Sequence, residues 1–188
     1  MLKSRSTHPN WAWDKTIVGV ISNSDDRVPS VLESFGLKVG PRRVGTSEER
    51  ITQAKLDDDI DFVILSYDVG FEKPDRRMFD AATQIFQNMH AGTSGNDGPV
   101  SDHGYHKLYI GDSLEHDYFG AKEAGWDAVL LDRPEESTLK EHTGSKETLV
   151  SDLYKEERSV AGVTKEVEMC SNLAALAGWK PHVYKGST

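Results

Sequence analysis

The 188-residue sequence contains a single cysteine, Cys170, and has an excess of acidic over basic residues. One cysteine cannot form an internal disulfide or a multi-thiolate metal site, which favours an intracellular, reducing compartment, the cytoplasm or the nucleus. The 31 acidic residues exceed the 22 basic ones, and the formal net charge is −9. Nonspecific nucleic-acid binding and attachment to an anionic membrane surface both require clustered Lys and Arg, so this balance argues against both.

Long apolar runs are also missing from the sequence. The best is Ile17–Ile21, whereas a membrane helix needs roughly 20 apolar residues. The first nine residues have no apolar core, which excludes a secretory signal. Their basic, hydroxyl-rich composition weakly suggests a mitochondrial presequence, but a frayed terminus is favoured. With 37% hydrophobic residues the chain can still form the core of one ordinary domain.

Short apolar runs alternate with helical patterns along the first two thirds of the chain. The runs are Thr16–Ile21, Asp61–Leu65, Lys107–Ile110 and Asp127–Leu131. They are nearly continuously apolar, as in strands covered on both faces. The helical patterns cover Val28 to Phe35, ended by Gly36; Met78 to Met89, capped by Asp75; and Glu115 to Ala124, ended by Gly125. This alternation predicts an α/β fold built on a parallel sheet with right-handed crossovers.

Composition divides the chain into four predicted segments. They are an irregular N-terminal segment (1–15), a core (16–132), a charged surface excursion (133–166) and a closing segment with a tail (167–188). Within the closing segment, Leu173, Leu176 and Trp179 are expected to pack back on the sheet. Residues 90–106 are rich in Gly, Ser and Asp and predict an exposed loop within the core.

Polar side chains follow three of the predicted strands. Ser22 and Asn23 follow the first, Lys73 lies in the segment after the second, and Asp112 and Asp117 follow the third. The carboxyl ends of parallel strands are where ligands bind in open α/β sheets. A hydroxyl with the amides after it, an ammonium and two carboxylates are the groups that would hold a phosphate and a magnesium ion.

Each of these features is weak evidence by itself. A Ser after a strand is usually a turn or cap residue, a Lys before Pro is usually solvated, and a Gly-Asp-Ser turn is more often structural than metal-binding. The occurrence of all three at successive strand ends, in this order, is what favours a phosphate site.

The three segments resemble a known family. VGVISNSDDR, LSYDVGFEKPDRRMF and LYIGDSLEHDYFGAKEAGWDAVLL are similar to motifs II, III and IV of the haloacid dehalogenase-like (HAD) hydrolase superfamily. The likeness is greatest to the branch of haloacid dehalogenase-like hydrolase domain-containing proteins. It covers roughly Thr16 to Leu131, with a plausible closing segment near Val167 to Leu176. The resemblance implies a Rossmann-like parallel sheet with helices on both faces.

The resemblance also implies a chemistry and residue roles. The family activity is Mg²⁺-dependent hydrolysis of a phosphate monoester of a small metabolite through an aspartyl-phosphate. Ser22 and Asn23 correspond to phosphate-binding positions, and Lys73 to the motif III lysine, which binds phosphate and assists catalysis. Asp112 is implied as a magnesium ligand. Asp117 is implied as a second ligand or as the residue that orients Lys73 in catalysis.

Motif I of the family, an Asp-x-Asp sequence that carries the nucleophile, has no counterpart before the motif II segment. The fifteen residues there contain one acid, Asp14, with no Asp two positions later, and no cap domain separates them from motif II. Since Ser22 has no adjacent base, it does not replace the nucleophile. The core is therefore expected to lack its first, central strand, so that the motif II and motif IV strands either pair directly or face a gap.

These departures leave several functions open. A truncated hydrolase with little activity is the favoured interpretation. The alternative is a noncatalytic interaction protein that keeps a residual Mg²⁺/phosphate pocket, its protein partner unknown. Haloacid dehalogenase chemistry is less favoured, since it needs the same missing aspartate and uses no magnesium. A response-regulator fold would not explain the pairing of Asp112 with Asp117.

The remaining charged or metal-capable groups are interpreted as ordinary structural features. Cys170 is expected to be a small buried residue. The histidines of the Gly-rich loop are expected to be solvated, the acidic run to lead into a strand, and two arginine pairs to be surface charge. These groups are His90, His103 and His106; Asp57–Asp59; and Arg42–Arg43 and Arg76–Arg77.

Overall fold

The computed structural model describes residues 16–47, 58–91, 105–132, 153–160 and 162–181. They belong to two compact units, residues 1–105 and 106–188. The predicted N-terminal segment, Asp57, His103 and most of the Gly-rich loop lie outside the described residues, as does the side chain of His90. No helix among the described residues is both long and apolar enough to cross a membrane.

The first unit contains a three-stranded parallel sheet. Its strands are β1 (Gly19–Ser22), β2 (Val39–Arg43) and β3 (Ile60–Leu65), in the order β1-β3-β2. Every residue of the central strand β3 is buried, which confirms the inference from its continuous apolar run. β2 was not predicted, because its sequence Val-Gly-Pro-Arg-Arg resembles a turn. Its terminal position in the sheet explains how a proline is tolerated there.

Helix α1 (Val28–Ser34) begins with a proline in its first turn and is followed by Gly36, whose φ of 82° ends the helical direction. The predicted apolar face is only partly buried. Val28 and Leu32 pack against buried hydrophobic residues of β3, whereas Val31 and Phe35 are 49% and 78% exposed. The helix ends at Ser34, so Phe35 is its C-cap and no longer follows the helical periodicity.

Two further helices follow β3. Helix α2 (Ser66–Val69) is one turn long, and α3 (Arg76–Ala91) is the long helix predicted from the apolar period. The Arg77 amide donates to Asp75 Oδ1 at 2.9 Å, as expected of an N-terminal cap. Five apolar residues of α3 are buried as predicted: Met78, Phe79, Ala82, Ile85 and Met89.

The second unit contains a four-stranded sheet in the order β4-β5-β7-β6. Its strands are β4 (Leu108–Gly111), β5 (Asp127–Leu131), β6 (Tyr154–Val160) and β7 (Val163–Cys170). β4, β5 and β7 are parallel, and β6 is antiparallel to β7. The last part of the predicted excursion over 133–166 contributes β6 and the first half of β7, a hairpin whose charged side chains are mostly exposed.

The helix predicted from Glu115 to Ala124 has a more complex form. A π-helical segment (Leu114–Phe119) precedes a short helix α4 (Gly120–Glu123). The Tyr118 amide bonds the carbonyl of Ser113, five residues earlier, at 3.1 Å, which is the hydrogen bond that defines a π-helix. Gly125, with a φ of 82°, follows the helix as predicted.

The closing segment forms a 3₁₀ helix (Leu173–Gly178) after β7. Leu176 and Trp179 are buried as expected, but Leu173 is 52% exposed, so the prediction that it packs on the sheet is wrong. Cys170 is fully buried, which confirms the interpretation of it as a small core residue.

The predicted α/β class with mainly parallel, Rossmann-like strands is confirmed, but the described strands form two sheets, one in each unit. β1 is the terminal strand of the first sheet, and β4 is the terminal strand of the second. Each of them therefore has one edge without a strand partner in the described part of the chain.

Candidate functional site

The segments after β1 and β3 are joined by hydrogen bonds at the carboxyl end of the first sheet. Ser22, the last residue of β1, shares a hydrogen bond of 2.9 Å between its hydroxyl and that of Ser24. The Ser24 carbonyl accepts from the Tyr67 amide and the Ser66 hydroxyl, each at 3.3 Å. These contacts bring the predicted phosphate-binding hydroxyl next to the segment that carries Lys73.

Asn23 and Lys73 form a reciprocal pair. The Lys73 amide donates to Asn23 Oδ1 at 2.7 Å, and Asn23 Nδ2 donates to the Lys73 carbonyl at 3.1 Å. Lys73 is half-buried and Asn23 is exposed. The structure therefore brings together the three predicted residues of the first unit: Ser22, Asn23 and Lys73.

Arg77 contacts residues on both sides of Lys73 in the chain. The Arg77 guanidinium lies 3.0 Å from the centroid of the Phe71 ring and pairs with the Asp75 carboxylate at 2.5 Å. Hydrogen bonds from the Arg77 side chain and amide lower the pKa of Asp75 to about 2, so this carboxylate stays ionised at neutral pH. Arg76 and Arg77 lie at the surface, as the sequence predicted.

Helix α2 is anchored to β2 by an ion pair. The Arg43 guanidinium donates to both carboxylate oxygens of Asp68, at 2.9 and 2.6 Å. The hydrogen bond that Arg43 donates to the Asp68 carboxylate raises the pKa of Arg43. The pair fixes the start of the segment that leads to Lys73.

A cavity of about 400 Å³ opens beside these residues. Its walls come from both segments and combine polar and aromatic groups, among them Asn23, Ser24, Asp25, Ser66, Tyr67 and Phe71. That volume is in the range of small-molecule sites.

In the second unit, Asp112 and Asp117 belong to one turn after β4. Asp112 is exposed, whereas Asp117 is only 5% exposed. Asp117 Oδ2 accepts from the Ser113 amide at 3.0 Å, and its Oδ1 accepts from the Tyr109 hydroxyl at 3.2 Å. Burial, followed by the charge of Asp117, raises the pKa of Tyr109, which keeps this hydroxyl protonated and able to donate.

Gly111 makes this arrangement possible through close packing. A Cβ on Gly111 would lie 2.3 Å from Asp117 Oδ2 and 2.5 Å from Asp117 Cβ. Only a residue without a side chain leaves room for the buried carboxylate.

Two features of the site were missed by sequence reasoning. The reciprocal bonds of Asn23 join residues 50 positions apart, so no local pattern could indicate them. Tyr109 lies in a predicted strand and was counted as one of its apolar residues. The sequence did offer one signal for this contact, because the Tyr109 hydroxyl lies only two residues before Gly111.

Comparisons with known proteins give matches to hydrolases of one family. Residues 70–155 match the HAD-hydrolase-like family model. The chain is 31% identical over 118 residues to an uncharacterized hydrolase of Schizosaccharomyces pombe, covering 63% of this chain and 40% of that protein. It is 30% identical over 118 residues to haloacid dehalogenase-like hydrolase domain-containing protein 3 of Bos taurus, with 63% and 34% coverage. These matches support membership of the chain in the HAD superfamily.

A further relative shows the same partial coverage. The rhythmically expressed gene 2 protein of Drosophila melanogaster is 33% identical over 63% of this chain and 34% of its own length. The chain thus spans 34–40% of the length of these relatives. A HAD phosphatase structure from Thermococcus onnurineus aligns with a TM-score of 0.41 at 19% identity, over 71% of this chain and 53% of that one.

Membership in the HAD superfamily generally implies Mg²⁺, and the residues of the second unit fit this ion. Magnesium prefers carboxylate oxygens and is commonly bound through one or two carboxylates, with water and substrate phosphate completing its coordination. Asp112 and Asp117 supply two such groups in one turn. No cluster of three or more His, Cys, Asp or Glu occurs in the described ranges, so a site built wholly from protein ligands is not found there.

Proposed function

We propose that this chain carries the phosphate-binding and magnesium-binding parts of a HAD hydrolase that acts on phosphate monoesters of small metabolites. The observation that carries the proposal is the placement of Ser22, Asn23 and Lys73 together at the carboxyl end of a parallel sheet. That edge is where α/β sheets bind their ligands. The proposal places this chemistry in the cytoplasm or nucleus, because a sequence with a single cysteine contains no internal disulfide.

Each side chain has a distinct part in this proposal. The Ser22 hydroxyl donates to a phosphate oxygen, and the Lys73 ammonium offsets the negative charge on the phosphoryl group. In the second unit, Asp112 and Asp117 would hold Mg²⁺, which would act as a Lewis acid when bound. Tyr109 and the Ser113 amide hold the Asp117 carboxylate in place.

We further propose that these residues alone bind phosphate better than they hydrolyse its esters. The hydroxyl partner of Ser22 is another hydroxyl, that of Ser24, which is not a base that could activate it. Residues 1–15 contain one acid, Asp14, and no Asp-x-Asp. This combination equally supports the second candidate function, a noncatalytic protein that binds a phosphorylated ligand.

The phosphate half of the proposal predicts a strong effect of Lys73→Ala. The Kd for inorganic phosphate, measured calorimetrically with Mg²⁺ on the full chain, is expected to rise about 10- to 100-fold, since a hydrogen bond to a charged group contributes about 1.5–3 kcal/mol. Lys38→Ala is the matched control, because it removes the same charge from an exposed position of the same unit. Equal losses in both variants would show that net charge, not this site, attracts phosphate.

The magnesium half predicts that Asp112→Asn weakens Mg²⁺ binding. Removing a residue that only orients a metal ligand lowers metal affinity roughly tenfold. Asp112→Asn removes a carboxylate ligand itself, so we expect the Mg²⁺ affinity to fall by more than that. Magnesium titration followed by amide chemical shifts of the turn measures the affinity. Glu115→Gln, an exposed acid three residues away, is the control. If Glu115→Gln weakens binding as much as Asp112→Asn does, the ion responds only to general negative charge.

A further inference from the structure

The Asn23 carboxamide contacts both main-chain polar groups of Lys73. It pairs with the backbone of Lys73 as the main chain of a neighbouring β-strand would. Its oxygen accepts the Lys73 N–H at 2.7 Å, and its nitrogen donates to the Lys73 carbonyl at 3.1 Å. A carboxamide has one acceptor oxygen and two N–H donors. The oxygen and one N–H of Asn23 are therefore directed at Lys73, which leaves one N–H for other partners.

Other contacts fix the two ends of the segment between β3 and α3. At the first end, the Ser24 carbonyl accepts from Ser66 and Tyr67. At the second end, Arg77 joins Phe71 and Asp75. Between these anchors, the Asn23 bonds reach the main chain of Lys73 itself, so they determine the position from which its side chain extends.

We propose that Asn23 is a positioning residue that acts through Lys73, instead of a direct ligand of the phosphate. By holding the amide and carbonyl of Lys73, Asn23 sets where the ammonium meets the phosphoryl group. The inference rests on the proposed function of the site. It replaces the phosphate-binding role that the family resemblance implied for Asn23.

A double-mutant cycle separates the two roles. Kd values for inorganic phosphate with Mg²⁺ are measured for the wild-type chain, Asn23→Ala, Lys73→Ala and the double variant. Residues that act through one another are non-additive, whereas independent ligands add. Asn23→Ala is expected to weaken binding about fivefold or more in the wild-type background and to have almost no further effect once Lys73 is alanine. A full additional loss in the double variant would overturn the positioning role.

Amide hydrogen exchange at Lys73 tests the clamp without any ligand. In Asn23→Ala, exchange at the Lys73 amide is expected to accelerate at least about fivefold, because its acceptor is gone. Asn23→Asp keeps an acceptor oxygen and is expected to keep the slow exchange. Ser34→Ala, which removes a local hydrogen bond in α1, is the control for general destabilisation.

The two measurements distinguish failure of the inference from failure of the proposed function. If the wild-type chain binds phosphate but Lys73 exchange is unchanged in Asn23→Ala, the clamp is wrong and the phosphate site stands. If the wild-type chain does not bind phosphate, the proposed function is wrong, and with it any role of Asn23 toward phosphate, whatever the exchange shows. If Asn23→Ala does not fold, slow exchange at the Lys73 amide in Asn23→Asp, which keeps only the acceptor oxygen, supports the clamp, and fast exchange there contradicts it.

Discussion

Gly111→Ala is expected to lower the free energy of unfolding of the second unit by about 3 kcal/mol and to abolish its affinity for Mg²⁺. The new methyl would lie 2.3–2.5 Å from the Oδ2, Cγ and Cβ atoms of Asp117. Because the Asp117 Cβ is itself too close, a change of rotamer cannot relieve the overlap and the turn must move. The bonds from Tyr109 and the Ser113 amide to the carboxylate would then be lost.

Chemical denaturation monitored by circular dichroism, together with magnesium titration, measures both parts of this prediction. The matched test is the same substitution in an Asp117→Gly background, where the crowding atoms are absent. Gly111→Ala should cost much less there, since contacting sites are non-additive. An equal cost in both backgrounds would show that Gly111 matters for strand conformation and not for its packing against Asp117.

The parts of the fold that could be predicted are those where local patterns and burial agree. β3 and β5 are short, apolar and buried, and both were located within one residue of their observed bounds. Gly36 and Gly125 ended helices as expected because both adopt positive φ angles that other residues avoid.

The elements that escaped prediction are those whose stability comes from tertiary neighbours. β2 contains Gly, Pro and two Arg, yet it pairs with the fully buried β3. The β6–β7 hairpin is rich in charged residues, and among its described side chains only those in the last part of β7, Val167, Met169 and Cys170, are buried. Without knowledge of the neighbouring strand, neither segment shows the periodicity of a strand.

The candidate site also has parts that could be predicted from the sequence and parts that could not. Residue types at strand ends were enough to propose Ser22 and Lys73, which lie at the carboxyl end of the first sheet, and Asp112, which follows β4 of the second. The contacts that orient them could not be predicted. The Asn23–Lys73 bonds span 50 residues, and the Tyr109–Asp117 bond depends on how a strand and a π-helical turn meet.

Arg42 is the clearest disagreement between sequence and structure. The pair Arg42–Arg43 was expected to be surface charge, yet the Arg42 side chain is fully buried and its Nη1 donates to the Asp61 carbonyl at 3.3 Å. Side chains alternate along β2, so Arg42 is directed into the unit while Arg43 reaches Asp68. Asp58 and Asp61, also buried, give this interior two carboxylates.

Arg42→Ala is therefore expected to lower the free energy of unfolding by roughly 3–5 kcal/mol. The substitution leaves a cavity and removes the positive charge from an interior that holds two acids. Arg42→Met fills most of the volume without the charge, so it separates the two causes. It should remain well below the wild type in stability if the charge is what matters.

Arg43→Ala is the matched control, since it makes the same change one residue away. Arg43 and Asp68 have side chains 24% and 10% exposed, so water screens their ion pair only partly, and the expected loss is about 2 kcal/mol. Urea denaturation of the four chains, with the wild type included, gives the comparison. If Arg42→Ala cost no more than Arg43→Ala, the buried guanidinium would contribute no more to stability than a partly exposed one, contrary to the high cost of losing a buried charged group.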